Sequence, residues 1–218
     1  MKKKRTIFYI DGFNLYHGLL AGTPYLWLDI EKFAMSLLPR PEEHELVGVD
    51  YFTARIKYNP SEPQAAFNQD RYLEVIAAFP RVKIVEGFYK RFRVKLPFAT
   101  EPCKSCDKMK YGIVYRTVEK RSDVNLATEM MADAYRDSAD AFVLVSGDVD
   151  FAAPLCFIRH EVGRHTLVFN PHNDVCEELR RFTSYYRNIP RDLPAKCQLP
   201  EIVTLPNGRT IHRPAAWA

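Results

Sequence analysis

Ala141-Phe-Val-Leu-Val145 is an unbroken apolar run rich in β-branched and aromatic residues, and it ends abruptly at Ser146-Gly-Asp-Val-Asp150. A strand without polar alternation has to be covered on both faces, and such strands belong to parallel sheets packed between helices. Phe151 to Ile158 then opens an apolar segment long enough to begin a helix. A buried strand, a glycine turn with two carboxylates and a helix therefore follow one another. That order puts negative charge at the carboxyl edge of a sheet, where open α/β sheets hold their ligands.

The rest of the chain repeats the arrangement. Thr6-Ile-Phe-Tyr-Ile10 is a second buried strand, ending on Asp11-Gly-Phe-Asn14, and Leu15 to Leu20 continues as helix. Asp29 to Leu38 has apolar residues at helical spacing and is stopped by Pro39 and Pro41. Leu46–Ala54 is predicted to be a strand, Pro63–Phe79 a helix, and Val82–Tyr89 a strand. Alternation at Phe88–Leu96 and Tyr111–Val118, on either side of a Pro-, Lys- and Cys-containing interruption, predicts a long hairpin. Ser122 to Tyr135 is a helix with Ser122 as its expected N-cap and Leu126, Ala127, Met130, Met131 and Ala134 as its buried stripe. A last buried strand is expected at His165–Phe169 and a short helix over Val175–Phe182.

Strands alternating with helices predict a three-layer α/β fold with a mostly parallel central sheet and right-handed crossovers. The expected organisation is a domain over residues 1–187 with a hairpin insertion at about 88–118. Residues 188–218, interrupted by five prolines, form an extended tail packed on the core, with a small hairpin around Pro206-Asn-Gly208.

Composition excludes several classes. With 218 residues, 47% apolar and 27% charged, the chain has the make-up of a globular protein with a real core. No apolar run approaches the roughly 18 residues that a membrane span requires. Met1-Lys-Lys-Lys-Arg5 is followed by only five apolar-rich residues before Asp11, so a basic arm ahead of a strand is expected rather than a secretion leader. Five scattered cysteines predict reduced thiols and a cytoplasmic setting. The net charge of +4 permits a polyanionic partner.

Asp11 and the Asp148/Asp150 pair both follow buried strands and would face the same sheet edge. Asp123 sits in the first helical turn, where the helix dipole favours a carboxylate. Any one of these acids could equally cap its helix. Together they repel one another, and a hard divalent cation with oxygen ligands, Mg²⁺ or Mn²⁺, is the usual neutralising partner. Such an ion polarises a phosphoryl oxygen and lowers the pKa of a water. Asn14, one turn after Asp11, offers a neutral oxygen or an orienting hydrogen bond. Gly147 suggests a backbone conformation that other residues avoid.

Three blocks carry a resemblance. Ile10-Asp-Gly-Phe-Asn-Leu-Tyr16, Glu119-Lys-Arg-Ser-Asp-Val-Asn-Leu-Ala127 and Leu144-Val-Ser-Gly-Asp-Val-Asp-Phe151 resemble, in order, the signature blocks of the LabA-like branch of the NYN domain family, proteins similar to PIN-domain nucleases. The resemblance runs from about Thr6 to Phe169. It implies a PIN-like, Rossmannoid fold and a Mg²⁺- or Mn²⁺-dependent ribonuclease. It also implies metal-binding catalytic acids at Asp11, Asp123, Asp148 and Asp150, with Asn14 and Ser146 in support. The middle block departs from the family's pattern, with Arg121-Ser122 where a glycine and an aliphatic residue are expected.

Lys120 and Arg121, beside Asp123, are candidate phosphate contacts. Arg55, Lys57 and Tyr58, with Tyr89, Lys90, Arg91, Phe92, Arg93 and Lys95, interleave cations and aromatics in the manner of a single-stranded nucleic-acid surface. Alternating strands also expose charge by default, so part of this set is ordinary surface. The expected partner is RNA; an RNA-binding regulatory module that keeps the pocket without cleaving is the alternative. Homo-oligomerisation is left open. Cys103-x-x-Cys106 is half of a zinc site with no second pair nearby, and no zinc is assigned to it.

Overall fold

The computed structural model describes residues 2–98 and 109–217. Six parallel strands form the central sheet in the order β3-β2-β1-β6-β7-β8. They are β1 (Lys4–Asp11), β2 (His44–Thr53), β3 (Val82–Glu86), β6 (Ala141–Val145), β7 (His165–Asn170) and β8 (Tyr185–Asn188). All five residues of β6 are buried, as its composition requires, and it pairs with β1 on one side and β7 on the other.

Alternate residues of the central strands feed two cores. Phe8, Ile10, Val143, Val145 and Phe169 pack with α2 (Ile30–Leu37), α3 (Ala65–Ala77) and the C-terminal segment. Tyr9, Phe142, Leu144 and Val168 pack against α4 (Ser122–Tyr135), α5 (Ala152–His160) and α6 (Glu177–Arg181). The three layers follow directly. No helix among the described residues is long and apolar enough to cross a membrane.

The strand expected over Val82–Tyr89 divides at Gly87. β3 ends at Glu86 in the sheet, and β4 (Phe88–Pro97) leaves it to pair antiparallel with β5 (Tyr111–Lys120) as a separate two-stranded arm. Gly87 is required there, because a Cβ would overlap Ser122 Oγ and the Lys120 carbonyl. Cys103 and Cys106 lie outside the described residues. Beyond β8 the chain forms a four-residue helix, α7 (Leu193–Lys196), despite Pro194, which sits in its first turn where proline is tolerated. A hairpin of β9 (Ile202–Thr204) and β10 (Thr210–His212) follows. The tail returns Trp217 to within 6.2 Å, ring to ring, of both Trp27 and Tyr72.

Candidate active site at the carboxyl edge

Between β1 and β6 the sheet order reverses, and this is the crevice where doubly wound folds place ligands. Ile10 is paired with Val145, so the next residues, Asp11 and Ser146, emerge side by side. Ser146 Oγ donates to Asp11 Oδ2 at 3.1 Å and accepts from Asp148 N at 3.1 Å. Asp11 Oδ1 accepts from Asn14 N at 3.0 Å, capping α1 (Gly12–Leu15). Asn14 Oδ1 in turn accepts from Gly147 N at 2.8 Å, so Asn14 ties the β1 loop to the β6 loop rather than standing free.

Asp148 caps the short 3₁₀ turn Val149–Phe151 by accepting from Asp150 N at 3.0 Å. Capping therefore uses one oxygen each of Asp11 and Asp148, and the second oxygen of Asp148 has no protein partner among the described residues. Gly147, expected to take a backbone conformation that other residues avoid, is not among the positive-φ glycines, Gly22, Gly163 and Gly208. Its glycine serves close approach instead: a Cβ would collide with Asn170 Oδ1, which is held by His172 N, while Asn170 Nδ2 donates to Asp174 O and Tyr186 Oη.

Asp123 stands at the first turn of α4. Ser122 is not that helix's cap. Its hydroxyl donates to Glu119, a carboxylate at the root of the arm that sequence reasoning passed over. Burial pushes the Asp11 carboxyl from 3.8 up to about 6, its hydrogen bonds from Asn14 and Ser146 oppose the rise, and the charges of Asp123 and Glu119 add to it. Burial, then the charges of Asp148 and Asp150, push Asp123 up as well. Burial also raises Glu119, with the Asp123 charge adding to the effect.

Asp11, Glu119, Asp123, Asp148 and Asp150 thus act on one another electrostatically. Among the described residues none of them has a lysine or arginine within ion-pairing reach. The donors are all oxygen and uncompensated, which is the chemistry a hard divalent cation takes, but no three of their ligand atoms lie within 4.8 Å of one another in the structure.

A second acidic group was not anticipated from the sequence. Asp50, Glu129 and Asp133 are the one group of three such residues, among the described residues, whose ligand atoms lie within 4.8 Å of one another and could hold a metal ion. Asp133 lies ten residues after Asp123 on α4, about 15 Å along the helix, so this triad is a separate place. Its charge is partly offset: Lys83 Nζ lies 3.0 Å from Glu129 and 3.8 Å from Asp50, and Tyr9 Oη donates to Asp133 at 2.9 Å.

The cationic candidates divide. Arg55 is engaged by Asp70 at 2.6 Å and Glu86 at 2.8 Å, which removes it from the free phosphate contacts expected of it. Lys57 is exposed in the loop after β2, and Lys120 is exposed at the end of β5. Arg121 takes the left-handed conformation, φ 81°, where the family pattern leads one to expect glycine, and its guanidinium lies 5.1 Å over the Phe88 ring. On the arm, directly opposite residues share a face. Tyr89/Glu119, Arg91/Thr117, Arg93/Tyr115, Lys95/Ile113 and Pro97/Tyr111 therefore form one stripe leading outward from the acids. Within it Arg91 covers Tyr115 at 4.2 Å and Lys95 approaches Tyr111 at 5.3 Å.

Beside the acids a cavity of about 440 Å³ is lined by Phe13, Tyr16 and His17 from one wall, Tyr51 and Tyr89 from another, and Trp217 from the tail. Gly12 and Glu119 belong to both the cavity and the acid edge.

The NYN domain profile matches residues 5–190, a span containing both the sheet and all the acids of the edge. The chain belongs to the NYN domain family. This NYN protein is also 29% identical, over 98% of its length and 75% of the relative's, to 6-hydroxy-3-succinoylpyridine 3-monooxygenase HspA of Pseudomonas putida. Among solved structures it resembles a protein of unknown function from Vibrio parahaemolyticus, with a TM-score of 0.52 and 15% identity, covering 87% of this chain and 95% of that one. That likeness concerns the fold alone, a three-layer α/β architecture with a mostly parallel sheet.

Proposed function

We propose that this NYN protein is a divalent-metal-dependent ribonuclease acting at the carboxyl ends of β1 and β6. The observation that carries the proposal is the set of carboxylates gathered at the sheet's switch point without a cationic partner among the described residues. Asp11, Asp123, Asp148 and Asp150 would hold Mg²⁺ or Mn²⁺. A bound ion neutralises the cluster, polarises a phosphodiester oxygen and lowers the pKa of a water.

The protein's own groups prepare the site. Ser146 and Asn14 fix the Asp11 carboxylate through hydrogen bonds to both oxygens. The Asp148 backbone is fixed by the same serine, leaving its second oxygen for a ligand. Arg91, Arg93, Lys95 and Arg121 supply positive charge along the path an RNA backbone would take, with Tyr111 and Tyr115 offering faces for stacking.

Incubation of end-labelled single-stranded RNA, duplex RNA and DNA with the wild type and Asp148→Asn, in Mn²⁺ or in EDTA, tests this. Cleavage of RNA by the wild type in Mn²⁺ alone, abolished in a folded Asp148→Asn, is expected. Equal cleavage by both proteins would overturn it. Salt-dependent RNA binding with no cleavage under any metal condition would instead favour the RNA-binding regulatory module.

The Pseudomonas relative motivates a second reading, hydroxylation of a substituted pyridine, favoured by the length of the alignment and by an aromatic cavity beside the acids. Oxygen uptake on adding 6-hydroxy-3-succinoylpyridine and a nicotinamide reductant would support it. Its absence, with RNA cleavage present, would eliminate it.

A further inference from the structure

The cavity beside the acid edge has features that metal binding does not require. Phe13, Tyr16 and His17 reach it from one short helical segment that includes a π-helical turn, Tyr16–Leu20, a distortion that recurs at functional sites. The His17 ring lies 4.3 Å from that of Phe13 and 5.0 Å from that of Tyr16. Phe13 and Tyr16 remain 47% and 43% exposed, so large aromatic faces stand open at the mouth.

Deeper in, Tyr51 is 8% exposed and lines the cavity. The buried side-chain atoms without a partner among the described residues are on Glu31, Arg164 and Gln198, so the Tyr51 oxygen is open to the cavity and free to donate into it. Gly12 makes room for it: a Cβ there would come within 2.8 Å of the Tyr51 oxygen and 2.7 Å of the Phe52 carbonyl. Trp217 closes the opposite side, brought there by a tail whose prolines and hairpin otherwise have no part in the acid site.

We propose that this cavity binds a planar heteroaromatic ring, stacked among Phe13, Tyr16, His17 and Trp217 and hydrogen-bonded at its edge by the Tyr51 hydroxyl. Aromatic walls with one or two placed polar groups are the usual construction of such sites, and 440 Å³ is ample for a one- or two-ring heterocycle. The ring could be a base of a bound nucleic acid or a free small heterocycle; the chemistry of recognition is shared. The cavity stands independently of the cleavage proposal, and only its nucleic-acid source rests on that proposal. For that source, the continuity of the cavity with Glu119 and Gly12 would seat the base next to the phosphate held at the acids, giving cleavage a base preference.

The test is calorimetric titration of the full chain in EDTA, where the metal site contributes nothing. The probes are uridine, adenosine, 2-hydroxypyridine (one ring with a lactam edge like that of uracil) and ribose as a ringless control. Saturable binding of ring probes and none of ribose is expected. Trp217→Ala should weaken it by about 5- to 150-fold, the range of one base–aromatic stack. Tyr51→Phe, which keeps the shape, should weaken it by about 2- to 13-fold, one hydrogen bond's worth.

Binding of nucleosides would assign the site to a nucleic-acid base, and binding of 2-hydroxypyridine alone would assign it to a free heterocycle. No ring binding by the folded wild type, equal binding of ribose, or affinities unchanged in both variants would overturn the proposal. Binding retained in an Asp148→Asn protein that no longer cleaves would separate the two sites experimentally.

Discussion

Replacing Asp11 by asparagine should make the metal-free protein more stable while removing its response to metal. Asp11 is 6% exposed, and its carboxyl is raised from 3.8 to about 6, chiefly by burial. An acid whose folded pKa exceeds its unfolded value opposes folding when ionised. At pH 7.5 that displacement corresponds to about 3 kcal/mol, since each pKa unit is about 1.4 kcal/mol. Asparagine keeps the acceptor for Asn14 N and can donate to Ser146 Oγ, but it leaves the serine proton without Asp11, at a cost of about 1 kcal/mol. The net gain is about 2 kcal/mol, or a Tm higher by about 4–8 °C for a chain of this size.

Mn²⁺ at a hundredfold excess over its dissociation constant should stabilise the wild type by about 2.7 kcal/mol and the variant by far less. Thermal unfolding followed by circular dichroism, in EDTA and then in Mn²⁺, reads both effects. The expected order is the variant above the wild type in EDTA, with that advantage lost in Mn²⁺. A variant that melts lower in EDTA would make Asp11 a structural cap. Equal metal shifts in the two proteins would place the ion elsewhere.

Three further outcomes follow. Asp11 and Asp50 are both raised to about 6 by burial, so in EDTA the Tm should rise as pH falls from 7.5 to 5.5; Asp140, held at about 2 by Arg5, keeps its contribution throughout that window and loses it only below about pH 4. A metal-free Tm that falls over that range would contradict the burial argument. Asn14→Ala deprives Gly147 N–H of its acceptor and should lower stability by about 1–3 kcal/mol and Mn²⁺ affinity by about 10- to 100-fold, measured by melting and calorimetry. Arg121→Gly relieves the left-handed backbone but loses the contact with Phe88, so stability should change by less than about 1 kcal/mol, while the slope of log K for RNA against log salt should fall by about one.

The fold was legible where burial leaves a local signature. β1 and β6 are covered on both faces, so their apolar runs identify them as central parallel strands. β8 is a four-residue edge strand, Tyr-Tyr-Arg-Asn, half exposed and polar, and nothing in such a segment distinguishes it from a loop. The acids after β1 and β6 were legible because strand ends and glycine turns mark the sheet edge.

Glu119 was not, because one charge on an alternating strand looks like surface until the register sets it opposite Tyr89 at the root of the arm. Arg55 misled for the converse reason: its partners Asp70 and Glu86 are 15 and 31 residues away and meet it only in the fold. The Asp50–Glu129–Asp133 triad and the aromatic cavity draw on residues scattered over several elements, and Trp217 lies beyond prolines that made its segment look inert.

The most direct test of the central claim is a crystal of the wild-type protein soaked in Mn²⁺, with anomalous difference density collected at the manganese edge. The account predicts density among Asp11, Asp123 and Asp148 at the carboxyl edge, and none at Asp50, Glu129 and Asp133, where Lys83 offsets part of the charge. Density at that triad, with the carboxyl edge empty, would contradict it.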